Sequence, residues 1–305
     1  MKRRLFLAIL VVCLDLPLRA EPKYFGFFDC EEQCMAETHT YANVAVIPSY
    51  VGQPAKEVAL IQRAHQLTMK VVIAYLPHYL RQPYAKTDKN DLASWNRWLD
   101  AVKPFTSDIA AFYPYDEPYW RGLNERSGNR IQHLDEGHKR QGMTEVAEQL
   151  RDANDRIKYN FPNTPIIYVE AYPLISEDLQ IPRGYDWVGF DCYESFEDCH
   201  GKSIESYVDT IRTKLGPGQS LVVVPQGFVH IRSGDRVSDE QRHQLHELLD
   251  KYLSLVRNHP RTIAVLAWSY KDFPQKDGRE YRGISALDAG TRAIFQSFGK
   301  SVLGR

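Results

Sequence analysis

Two kinds of hydrophobic pattern take turns along this chain. Short stretches that are apolar at almost every position fall at 23–29, 42–47, 70–76, 109–115, 165–170, 185–191, 221–226 and 262–268. Continuous apolar runs of this length, bounded by Pro, Gly, Ser or an acid, predict strands buried on both faces. Between them apolar residues return every three or four positions: Val58, Ile61, Ala64 and Leu67; Trp95, Trp98 and Leu99; Met143, Val146, Ala147, Leu150 and Ile157; Tyr207, Val208, Ile211 and Leu215. Leu245, Leu248, Leu249, Tyr252 and Val256 continue the series, and a short last helix is expected over 293–298. That spacing lays one apolar stripe on a helix. Ser203 is placed to cap one helix, which should stop at Gly216, and Ser238 with Gln241 forms a capping box for another. The polar stretch 121–142 reads as a long loop. Eight buried strands alternating with amphipathic helices predict an α/β fold, a single-domain (β/α)8 TIM barrel. An open doubly wound sheet is the rival, but no glycine-rich phosphate turn follows any of the strands.

The first residues change the picture of where the protein works. Met1-Lys-Arg-Arg4, an apolar run over 5–16 and a small residue at Ala20 have the layout of a signal peptide over 1–20. This leaves a barrel domain over 22–305 and predicts an exported protein, periplasmic or secreted. Cys13 follows Val11 and Val12 rather than the small residue of a lipidation site, and no run is long enough to span a bilayer, so no membrane anchor is expected. A net charge of −1 gives no broad attraction for nucleic acid or an anionic membrane. No motif asks for a nucleotide, haem, flavin or metal cofactor. Outside the leader the cysteines fall in two close pairs, Cys30 with Cys34 and Cys192 with Cys199. In an oxidising compartment disulfides are the default, and of the three connectivities the two local ones need least rearrangement. A four-thiolate zinc site is the alternative, against which stands the lack of two-residue spacing.

A TIM barrel keeps its chemistry at the carboxyl ends of its strands. Those ends carry Asp29, Tyr50, Tyr75 with His78, Asp116-Glu117, Glu170, Asp191 with Tyr193, Gln226 and Trp268. Acids and aromatics in such a ring point to sugar handling, and 12% aromatic content supplies the stacking surfaces. The centre is Asp108-Ile-Ala-Ala-Phe-Tyr-Pro-Tyr-Asp-Glu-Pro-Tyr-Trp120, where a buried strand runs into two adjacent carboxylates. Adjacent carboxylates repel, which favours keeping one protonated near neutral pH, as a general acid requires. Pro118 biases Glu117 towards extended backbone. A plainer role for Asp116 and Glu117 is to cap the following segment. Tyr113 and Tyr115 share a face with Glu117 if strand alternation continues, and packing of the barrel interior is the competing role. His243 and His246 lack the company of a metal site and are expected in solvent.

On these residues the chain resembles the TIM-barrel glycoside hydrolases, whose acid/base glutamate often ends the fourth strand, where Glu117 stands in Tyr115-Asp-Glu-Pro118. The adjacent Asp116-Glu117 pair is similar to that of substrate-assisted hexosaminidases. The resemblance implies that Asp116 orients a 2-acetamido group, which attacks the anomeric carbon, while Glu117 protonates the leaving oxygen. Asp191-Cys-Tyr193 and Trp268 are similar to positions lining the sugar site of chitinase-like barrels, so a carbohydrate substrate is implied. The chain departs from retaining barrels in carrying Asp116 before the acid and Gln226 rather than a glutamate at the seventh strand. Tyr113 and Tyr115 stand where the chitinase pattern has aspartates. A two-carboxylate mechanism would need Glu170 or Asp191 as partner. A barrel that binds carbohydrate without cleaving it is the alternative from another class, and a lyase would ask for an arginine cluster that the strand ends lack.

Overall fold

The computed structural model describes residues 21–50, 52–76, 92–128, 131–232, 234–274 and 279–305. The expected leader over 1–20 and His78 lie outside the described residues. In chain order the strands are β1 (Tyr24–Phe27), β2 (Val44–Pro48), β3 (Lys70–Ala74), β4 (Ile109–Tyr113), β5 (Ile167–Ala171), β6 (Trp187–Asp191), β7 (Ser220–Val224), β8 (Phe228–Arg232), β9 (Thr262–Ala267), β10 (Phe273–Pro274) and β11 (Arg279–Gly283). Eight of them form one parallel sheet in the order β4-β3-β2-β1-β9-β7-β6-β5. The two ends of this order meet. Phe112 pairs with Ile166 and Asp116 with Val169, the Phe112 N–H donating to the Pro165 carbonyl at 2.9 Å and the Glu117 N–H to that of Val169 at 3.2 Å. The sheet thereby curls into a nearly closed (β/α)8 barrel of one domain, as the alternation of patterns predicts.

The helices are α1 (Glu32–Thr38), α2 (Pro54–Gln66), α3 (Leu92–Val102), α4 (Pro118–Arg126), α5 (Glu136–Asn160), α6 (Ile204–Lys214), α7 (Asp239–Asn258) and α8 (Ala289–Val302). Side chains alternate along the strands between two buried clusters. Val46, Val72, Ala111, Val169, Val222 and Leu266 fill the barrel interior. Ile47, Ile73, Phe112, Tyr168 and Val188 face outward onto Ile61, Trp98, Val146, Ile211, Leu249 and Phe295 of the helices. The caps read from the sequence form: the Ser203 side chain accepts from Ser206 N–H, and Ser238 and Gln241 make the reciprocal box. Gly189 shows why β6 needs a glycine in its middle, since a Cβ there would stand 2.3 Å from the Val222 carbonyl oxygen.

One expectation is corrected and one element is added. The stretch 121–142 is not a loop: α4 occupies its start and α5 begins at Glu136. The first turns of α5 are exposed, capped by Asp135 accepting from His138 N–H at 2.9 Å, so they carry no apolar stripe by which to be recognised. A small antiparallel sheet, β10-β11-β8, also stands beside the barrel mouth. Its strands are short and interrupted by polar residues, and periodicity did not reveal them. Among the described residues, no helix is long and apolar enough to cross a membrane.

Candidate active site

β4 turns Tyr113 into the barrel, where its hydroxyl donates to Asp116 Oδ1 at 2.6 Å. Arg121 of α4 pairs with the other oxygen of Asp116, and its Nε lies 3.7 Å from Glu117 Oε2. The Glu117 side chain hydrogen-bonds Asp191, which ends β6 and also accepts from the Tyr193 hydroxyl at 3.3 Å. Burial, then the charge of Asp116, push the Glu117 carboxyl up to about 7, against the pull of Arg121 and the bond to Asp191. Burial likewise holds Asp191 well above the carboxylate range, helped by the charges of Glu117 and Asp116. Two carboxyls joined by a hydrogen bond need a proton between them, so this pair retains one near neutrality.

The backbone that presents Glu117 differs from the extended conformation expected before a proline. Glu117 sits at φ 45°, ψ 54°, in the left-handed region, as the residue preceding the first turn of α4. Such a conformation costs a non-glycine residue about 1–2 kcal/mol. It is fixed from both sides, by the Glu117 N–H on Val169 and by Arg121 N–H donating to the Glu117 carbonyl at 2.9 Å. The strand thus turns a sharp corner into the helix with the acid at its apex.

Other expected residues surround this pair. Asp29, at φ 55°, follows β1; burial raises its pKa, Lys271 opposes the rise, and the charge of Asp116 reaches it. The Tyr75 ring lies 5.9 Å from that of Tyr113, and its hydroxyl is pushed up by burial, then by the charges of Asp116 and Asp29. Tyr193 stacks on Trp268 at 4.9 Å, and Trp268 also stacks on Phe273 at 4.9 Å while meeting the Phe228 edge at 5.4 Å. The small antiparallel sheet therefore builds one wall of the mouth around Trp268. Gln226 pairs with Trp268 across the strand ends and donates to the Phe228 carbonyl at 2.7 Å.

Three expected positions are placed elsewhere. Tyr50 sits on the rim, its hydroxyl donating to Glu31 Oε2 at 2.5 Å under the ammonium of Lys56. Beside it a cleft of about 880 Å³, lined by Asp29, Glu31, Lys56, Arg63, Tyr270 and Lys271, opens between α1 and α2. Tyr115 breaks the alternation that would have aligned it with Tyr113 and packs in the outer cluster. Glu170 points outward too, wholly buried, with four donors on its oxygens. Arg121 was not singled out from the sequence because its helix was not; Pro118, suited to the first position of a helix, was the available signal.

Both local disulfides are present, Cys30–Cys34 and Cys192–Cys199, so no four-thiolate site is formed. Each begins at the residue after a mouth carboxylate, Asp29 or Asp191. Among the described residues no group of three His, Cys, Asp or Glu is arranged to hold a metal ion. His243 and His246 are exposed on α7, 3.3 Å from Glu247 and 3.4 Å from Asp250.

No protein-family model and no curated protein sequence matches the chain. Solved structures do resemble it. Xylanase 10B of Thermotoga petrophila RKU-1, crystallised with xylobiose, is 12% identical, with 92% of this chain and 94% of that one covered at a TM-score of 0.57. Xylanase XynB of Paenibacillus barcinonensis is 11% identical over 91% and 95% of the two chains, TM-score 0.56. A GH113 β-1,4-mannanase is 10% identical over 92% and 99%, TM-score 0.53. At such identities the likeness establishes the (β/α)8 barrel.

Proposed function

We propose that this protein is a glycoside hydrolase that cleaves a polysaccharide or glycan, with Glu117 as general acid and base. The observation that carries the reading is the placement of Glu117: at the end of the fourth barrel strand, in an aromatic-walled mouth, with a carboxyl pushed up to about 7 and bonded to Asp191. A group so poised is protonated often enough to donate at neutral pH and ionised often enough to take a proton back. The structural neighbours named above, xylanases and a mannanase, support the same class of reaction. The leader and the two disulfides support an exported enzyme.

We further propose that the substrate contains N-acetylhexosamine and assists its own cleavage. Glu117 gives its proton to the glycosidic oxygen as the C1–O bond breaks. The acetamido oxygen closes on C1, and Asp116, held by Tyr113 and Arg121, orients that group and balances its positive charge. Water then opens the ring and returns its proton to Glu117. Two observations favour this over a protein nucleophile. β7 is followed by Gln226 rather than a carboxylate, and Asp191 touches Glu117, whereas an attacking carboxylate stands about 5–5.5 Å from the acid. Glu170 is taken up by its four donors.

The test compares leaving groups. Glu117→Gln should lower kcat/KM by roughly 10²–10⁴-fold on substrates with poor leaving groups and far less on an activated aryl glycoside, which departs without a proton. Asp116→Asn should slow both, and a thiazoline that mimics the cyclised acetamido group should inhibit strongly. Equal losses from Glu117→Gln across leaving groups would remove the general-acid role. Turnover of a sugar lacking the acetamido group, without thiazoline inhibition, would discard substrate assistance.

A further inference from the structure

A helix begins with backbone N–H groups that lack intrahelical partners, and the residue before the first turn commonly supplies one with its own side chain. In α4 that residue is Glu117, and its carboxyl makes no such bond. The first position is Pro118, which has no N–H. The next two N–H groups, of Tyr119 and Trp120, donate to Glu170 Oε2 at 2.9 Å and Oε1 at 3.0 Å. Glu170 comes from β5, about fifty residues further along. It is fully buried and is itself fixed by the Tyr168 hydroxyl at 2.8 Å and the Ala171 N–H at 3.0 Å.

We infer that Glu170 is a positioning residue for the active site: it caps α4 from across the barrel seam, and so releases the Glu117 carboxyl from capping to face Asp191 in the mouth. The inference rests on the reading of Glu117 as the working acid, and it assigns to Glu170 no contact with substrate. The arrangement explains the left-handed corner at Glu117. With the helix start held by Glu170 and the Glu117 N–H held by Val169 of the same strand, β5 grips the corner at two successive residues. It also places Arg121, one turn into α4, against both Asp116 and Glu117. Side chains that cap helices usually belong to the adjoining residue; here the cap is carried by a different strand, and the adjoining carboxylate is left for chemistry.

The two roles open to Glu170 predict different behaviour of Glu117. A cap that merely stabilises α4 would alter the melting temperature and leave Glu117 as it is. A cap that positions the corner would, when weakened, let the Glu117 carboxyl leave its buried seat, and burial is the chief cause of its raised pKa. Carboxyl carbon-13 NMR on glutamate-labelled full-length protein reads this without any ligand. The Glu117 resonance is assigned by its loss in Glu117→Gln, and it titrates in the field of Asp116, Arg121 and Asp191. In Glu170→Gln, which keeps the volume but replaces one oxygen with a donor, the Glu117 midpoint should fall by about one unit or more. Tyr168→Phe removes one support of Glu170 with little risk to folding and should shift it the same way by less.

An unchanged Glu117 midpoint in folded Glu170→Gln overturns the inference. Should that variant fail to fold, an unchanged midpoint in Tyr168→Phe overturns it instead. The glycosidase reading fails separately, by absence of glycan cleavage. A shifted midpoint in a protein that cleaves nothing would keep the positioning role and discard the reaction.

Discussion

The proposed reaction asks Glu117 to be both a proton donor and a carboxylate, and its neighbours set the balance. Burial and Asp116 favour the protonated form, while Arg121 favours the charge. As pH rises through about 7 the acid is lost, so kcat/KM on poor leaving groups should fall tenfold per unit above that point. Asp191 belongs to the same balance. Asp191→Leu takes away the hydrogen bond that favours the charged form of Glu117 while keeping the site dry, so the descending limb should move to higher pH; a pH–rate profile on a fixed substrate checks it. An unmoved limb would separate Asp191 from the proton. At this scale the sequence was informative about which residue types stand at the strand ends, and Asp116, Glu117, Asp191 and Trp268 do lie at the barrel mouth. It was not informative about direction. Tyr115 and Glu170 occupy strand-end positions like the others, yet both face the helices, because the chain turns its corner between Tyr113 and Glu117 and because Glu170 falls on the outward register of β5.

Among the elements, strands were recognisable from continuous burial, and helices from an apolar stripe wherever they pack along their whole length. α4 and the start of α5 were not, since one is short and entered through a proline, and the other begins in solvent. The loop after β6 shows how local links govern the site. Cys192 lies between Asp191 and Tyr193, and its partner Cys199 is tied down by the Tyr207 hydroxyl, which donates to its carbonyl at 3.2 Å, and by its N–H on the Lys202 carbonyl at 2.7 Å. The disulfide therefore anchors the acid and the stacking tyrosine to α6. Replacing Cys192 and Cys199 together by serine should cost about 2.5 kcal/mol from the freed loop and raise KM for carbohydrate several-fold. Thermal unfolding and steady-state kinetics on the double variant check both figures. An unaltered KM with lowered stability would leave the bridge as a staple with no part in the site.

For the whole molecule, the barrel was legible because eight strand patterns in alternation with helices admit few closures, and the observed pairing of β4 with β5 completes the one that was expected. The small sheet of β8, β10 and β11 was hidden, and with it the surroundings of Trp268, because β8 pairs with a distant segment, Phe228 with Gly283, and β10 is only two residues long. Barrel architecture alone hosts many chemistries, so the functional account depends on the mouth, where acids from β1, β4 and β6 converge beneath an aromatic wall. The most direct measurement is the release of reducing ends from a panel of glycans, including N-acetylhexosamine polymers, by wild type and Glu117→Gln side by side. The account predicts new reducing ends from at least one N-acetylhexosamine-containing glycan with the wild type, and a loss of roughly 10²-fold or more in the variant. A glycan that binds but gains no reducing ends with the wild type, or is cleaved equally by Glu117→Gln, would contradict it.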